Sequence, residues 1–169
     1  MGHWRGTGTI IGFCRALVSP GVSCRRLSEK INIPAEPAGL RQRLMALRDA
    51  LLALHKVLLE SERASYEATF GKINSPYQFL QLLTNDPWFA WLAPVTRLIT
   101  ATDEILDVKA PLTVAGEAAL VAQTRVLLVA TEGGEGFSRH YDEAMQRSPD
   151  VVFAHAAVIK LIRPQAGGK

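Results

Sequence analysis

Six leucines constrain this chain more than any other feature. Leu40, Leu44, Leu47, Leu51, Leu54 and Leu58 recur at steps of four and three residues, a spacing that lines one side of an α-helix and cannot line one side of a strand. Met45, Leu52 and Leu59 widen the stripe on one flank, Ala50 and Val57 on the other, and Gln42, Asp49, Lys56 and Arg63 occupy the opposite face. A coiled-coil seam is narrower than this, so the helix is expected to pack against more than one neighbour. Its expected span is 37–70, ending at Gly71, a residue suited to a left-handed exit.

Proline-marked starts set the remaining elements. Ser75-Pro76-Tyr77-Gln78 offers a capping serine, a proline at the first helical position and a glutamine placed to reach back. Asp86-Pro87 and Ser148-Pro149 repeat the device. Helices are predicted over 76–84 and 87–107, with Pro94 bending the second or detaching its first two turns. Thr113 is read as the cap of a helix ending near Ala130, with Leu120, Val121, Thr124, Leu127 and Leu128 facing inward. The Val126–Val129 run also suits a strand, and the length of the segment favours helix. An acidic, glycine-rich loop follows over 131–136, then helices over 137–147 and 149–163. The fold class is all-α: an antiparallel bundle of about four main helices with short extra helices, preceded by an irregular N-terminal extension.

The 169 residues suffice for one domain with a real core. The expected division is an extension over 1–36, the helical domain over 37–163 and a loose tail over 164–169. The net charge of +3 is unevenly spread. Residues 1–34 carry Arg5, Arg15, Arg25, Arg26 and Lys30 against Glu29 alone, whereas the remainder holds 14 basic and 15 acidic residues. A near-neutral body without a basic cluster argues against a nucleic-acid partner. No apolar run approaches the roughly 18–20 residues of a membrane span. Both cysteines, Cys14 and Cys24, lie in the extension, so no disulfide framework supports the domain.

Three readings of the extension compete. Arg15 interrupts the apolar stretch that a secretory signal needs. An Arg-rich, acid-poor segment ending in Arg25-Arg26-Leu27-Ser28 fits a mitochondrial transit peptide. A disordered tail, or translated sequence upstream of the true start of a bacterial gene, is the preferred reading. The expected location is cytoplasmic, with mitochondrial as the alternative.

No catalytic constellation stands out. His55 flanks the leucine stripe and His155 lies among Val151, Val152, Ala154, Val158 and Ile159; both suit packing roles with one hydrogen bond. His140 reads as exposed. The Glu-x-x-His pattern of di-iron bundles and His-Glu-x-x-His are both absent from the sequence, and no cofactor is expected. A ligand or metal site built from His55, Glu62, Tyr66, Glu67 and His155 across helices is the alternative. Glu60, Glu62, Arg63 and Glu67 otherwise read as a solvated face, and Asp103, Glu104 and Asp107 as a solvated helix end. Neither Gly6-Thr7-Gly8-Thr9 nor Gly133-Gly134-Glu135-Gly136 has phosphate-loop spacing. The segment from Trp88 through Phe89 and Trp91 to Leu92 is the most unusual. Wound as an α-helix, it points its aromatics in more than one direction, which suits core packing or an interaction surface.

Three stretches together resemble short, uncharacterised bacterial helical proteins: Leu54-His55-Lys56 to Tyr66-Glu67, Asp86 to Leu92, and Arg147-Ser148-Pro149-Asp150 to His155-Ala156. The likeness spans most of residues 40–160 and omits the extension. It implies a bacterial cytoplasmic origin and no particular activity. The functional expectation is a non-enzymatic interaction protein, a homo-oligomer assembled through the wide apolar stripe or through Trp88, Phe89, Trp91 and Leu92. A small-ligand or metal-binding bundle, with or without catalysis, is the alternative.

Overall fold

The structure, a computed structural model, describes residues 39–107, 112–128 and 135–163. Readings of the extension over 1–36, of the loop over 131–134 and of the tail over 164–169 fall outside the described residues. Those residues form α1 (Leu40–Phe70), α2 (Pro76–Asn85), a 3₁₀ turn (Pro87–Leu92), α3 (Ala93–Asp107), α4 (Val114–Leu127), α5 (Phe137–Arg147) and α6 (Pro149–Ile162). Among them there is no strand, so the chain is all-α.

The caps do most of what the sequence asks. Ser75 accepts from the Gln78 amide at 3.1 Å, a donor that a helix start leaves open, and the Gln78 side chain reaches back to the Asn74 amide just ahead of the cap at 2.9 Å. Thr113 accepts from Gly116 at 3.1 Å and Asp86 from Trp88 at 2.9 Å. Ser148 departs from expectation: its side chain makes no capping bond, although Pro149 does open α6. Gly71 ends α1 as expected but at φ 97° and ψ 169°, a positive-φ extended conformation open to glycine and not the left-handed helical exit.

The leucine stripe is the centre of the core. Its six members are at most 3 % exposed, and each fully buried leucine contributes about 1.5–3 kcal/mol before entropy is set against it. α3 runs antiparallel along one side of α1. Arg41 donates to the Leu106 carbonyl at 2.9 Å, Arg48 pairs with Asp103 at 2.5 Å, and His55 meets Thr96 at 3.2 Å. The solvated end expected at Asp103 is therefore tied to α1. α6 covers the other side, and Arg147, at the end of α5, reaches Ser61 and Glu62 of α1. α4 packs on α3, where Leu112 and Leu120 join Leu40, Leu44, Ile105 and Leu106 in a second apolar cluster.

Two expectations need correcting. Pro94 does divide the segment expected over 87–107, but the detached piece winds as a 3₁₀ helix. At three residues per turn, Trp88 and Trp91 fall in one row, with Phe89 and Leu92 in another. Both rows find cover: Phe89, Trp91 and Leu92 are buried and Trp88 is half-buried. Glu62, read as solvated, is 5 % exposed. It sits one turn past Leu58 on the buried stripe and pairs with Arg147 at the end of α5.

Candidate functional site

The long helix α1 distributes its polar residues to different neighbours. Glu62 accepts from Arg147, whose Nε and Nη2 also donate to Ser61 at 3.2 and 3.1 Å. Tyr66 meets Asp86 at 3.5 Å and packs within an aromatic group of Phe70, Trp88 and Phe89. Burial and the nearby Asp86 carboxylate raise its hydroxyl pKa. Glu67 accepts from Arg63 at 3.0 Å and from the Ile73 amide at 3.3 Å, pinning the α1–α2 turn. The Arg63 hydrogen bond holds the Glu67 carboxyl below its usual range.

The two histidines serve different helices. His55 faces Thr96 of α3, while His155 Nδ1 lies 2.8 Å from the hydroxyl of Tyr141, a fully buried residue of α5. Burial lowers both histidine pKa values below 6.5, which favours neutral imidazoles at pH 7. Burial likewise pushes the Tyr141 hydroxyl up, so it stays protonated and can donate to His155. Among the described residues no group of three or more His, Cys, Asp or Glu could hold a metal ion. His55, Glu62, Tyr66, Glu67 and His155 thus answer to separate partners.

The aromatic segment also turns inward. Trp91 stacks on His140 at 5.5 Å and packs against Phe137 at 5.6 Å. The indole nitrogens of Trp88 and Trp91 are buried without a hydrogen-bond partner. Phe89, Trp91 and Leu92 belong to the same core cluster as Leu47, Leu51, Leu54 and Leu58 of the stripe. Both surfaces expected to drive self-association are thus largely consumed by the chain's own packing.

The exposed apolar surface lies elsewhere. On α6, Val151, Val158 and Ile162 face the core, while Pro149, Val152, Phe153, Ala156, Ala157 and Leu161 remain exposed. Phe153 stands 73 % exposed at the middle of that outer face. Asp150 and Lys160 flank it, both exposed and without an ion-pair partner among the described residues. α4 has a similar outer row of Ala115, Ala118, Ala119, Ala122 and Val126. Sequence reasoning missed both faces. The signal was present, because α6 has almost no polar positions on any side, and such helices are ordinarily buried all round.

A cleft of about 690 Å³ opens between α1, α2, the 3₁₀ turn and α3. Leu59, Leu83, Phe89 and Leu92 supply apolar wall, and His55, Thr96, Arg97 and Glu104 supply polar groups. No described helix is long and apolar enough to cross a membrane. The chain matches no protein-family model, no curated protein and no solved structure.

Proposed function

We propose that this chain is a non-catalytic interaction protein, an antiparallel helical bundle that pairs with a second copy of itself through the outer face of α6. The observation that carries this reading is the exposure of Phe153 among Val152, Ala156, Ala157 and Leu161. A contiguous apolar patch of this kind marks an association surface more often than a solvated one. The bacterial cytoplasmic setting implied by the sequence resemblance belongs to the same reading.

The face suits a two-fold pairing. Asp150 and Lys160 lie ten residues apart, about 15 Å along the helix. An antiparallel arrangement centred near His155 brings Asp150 of each copy within reach of the long Lys160 side chain of the other. It also seats each Phe153 over the small Ala157 of its neighbour. A two-fold contact requires this kind of self-complementarity.

The helix is about 21 Å long, and one helical face offers less than the roughly 1,200–2,000 Å² of a standard stable interface. The pairing is therefore expected to be weak, in the ~micromolar range. Sedimentation velocity over a broad concentration series tests it. Wild type should pass from monomer to dimer, and Phe153→Lys should stay monomeric with unchanged helix content. A wild type that stays monomeric throughout, or a Phe153→Lys variant that still dimerises, would refute the proposal.

A further inference from the structure

The cleft beside His55 is independent of the α6 face and has a chemistry of its own. Its apolar side is formed by Leu59, Leu83, Phe89 and Leu92, and its volume of about 690 Å³ falls within the ~300–1,000 Å³ of ordinary small-molecule sites. The polar groups are unevenly placed. Thr96 has two acceptors in range, the Leu92 carbonyl at 3.5 Å and His55 Nε2 at 3.2 Å. The histidine contact is the shorter of the two, and the tautomer that uses it best has Thr96 donating to His55 Nε2. A neutral His55 that accepts at Nε2 carries its own proton on Nδ1. That N–H has no acceptor among the described residues, and it belongs to a half-buried ring that lines the cleft.

Arg97 follows Thr96 directly, lines the same cleft, and has no carboxylate partner among the described residues. Two donors, one of them cationic, thus line the cleft beside its apolar wall, neither with an acceptor among the described residues. Glu104 lies seven residues further along α3, about 10 Å from Arg97 on the side away from the apolar wall, so an anion is favoured at Arg97 and disfavoured beyond it.

We infer that this cleft binds an apolar monocarboxylate, with the carboxylate at Arg97 and His55 and the hydrocarbon body against Leu59, Leu83 and Phe89. Arg97 supplies the charge-assisted bond and can make it through two parallel N–H groups. His55 supplies a neutral donor. The apolar wall supplies affinity without demanding a particular chain shape.

The test uses the full chain and sodium decanoate, below the concentration at which decanoate aggregates, followed by amide chemical shifts in NMR. The expected result is a saturable one-to-one response centred on Leu83, Ala90 and Thr96. Arg97→Gln, an exposed position whose change leaves the core intact, should weaken decanoate about tenfold. The same variant should leave the binding of neutral decanol unchanged. An absent response overturns the inference, as does equal decanoate affinity in wild type and Arg97→Gln. Shifts confined to α4 and α6 would also overturn it, because they indicate adsorption on the outer apolar faces. Sedimentation of the same variant reports on self-association separately, so failure of one reading is distinguishable from failure of the other.

Discussion

Replacing Arg147 by leucine should expose how much the fold depends on one ion pair. The Glu62 side chain is 7 % exposed and that of Arg147 39 %. Exposed pairs contribute about 0–1 kcal/mol, whereas breaking a fully buried pair costs about 3–5 kcal/mol because a charge is left stranded. With the carboxylate buried and the guanidinium partly in water, the solvent-screened cost should be about 2 kcal/mol. For a domain of this size that corresponds to a drop of about 4–8 °C in melting temperature.

The informative comparison is the double variant Glu62→Leu/Arg147→Leu. Position 62 continues the stripe from Leu58, so a leucine there extends an existing apolar row. Replacing a buried pair by packed apolar residues is often neutral or stabilising. The double variant should therefore return to at least wild-type stability by equilibrium urea denaturation. Two results would refute the reasoning. Arg147→Leu within about 0.5 kcal/mol of wild type would mean that the pair is effectively solvated. A double variant as unstable as the single would mean that Arg147 acts through Ser61 or the α5 terminus and not through Glu62.

Two smaller predictions concern the caps and the histidines. Thr113→Ala removes the side chain that holds the Gly116 amide and should cost about 1 kcal/mol, read as a shift in denaturation midpoint at constant slope. His55 and His155 have lowered pKa values in the folded chain, so between those values and 6.5 the unfolded chain binds more protons. Stability should be fully present above pH 6.5 and fall as pH drops below it. His55→Gln/His155→Gln should flatten that acid limb in a pH series of melts; an unchanged limb would place its origin in other groups.

The elements were legible because their signals are local. The leucine period, the Ser75 and Thr113 caps and the proline-marked starts each operate within a few residues. The candidate site was much less legible. Glu62 reads as solvated until its partner appears 85 residues away, and Asp103 until Arg48 arrives from α1. The 3₁₀ winding of Pro87–Leu92 escaped because its aromatics were placed on an α-helical wheel. Changing the turn from 3.6 to three residues realigns every side chain in it. The cleft is built from four elements, and no local pattern announces it.

The width of an apolar stripe is a poor guide to assembly; what counts is how many of a helix's faces its own chain can cover. α1 has the broadest stripe, but α3, α4, α5 and α6 all pack against it, leaving chiefly its Met45–Leu52 flank in solvent. α5 is short and carries Arg139, Glu143 and Gln146 outward, so water covers what protein does not. α6 has neither remedy. It meets α1 along one side, α5 at His155 and α4 near its C-terminal end, and presents Phe153 with Ala156 and Ala157 on the other. A soluble helix would carry charges at those positions. The two charges it does carry, Asp150 and Lys160, stand at opposite ends with opposite signs. That placement contributes little to solvating the middle of the face, and under the proposed pairing it is where an antiparallel copy would meet them to fix its register.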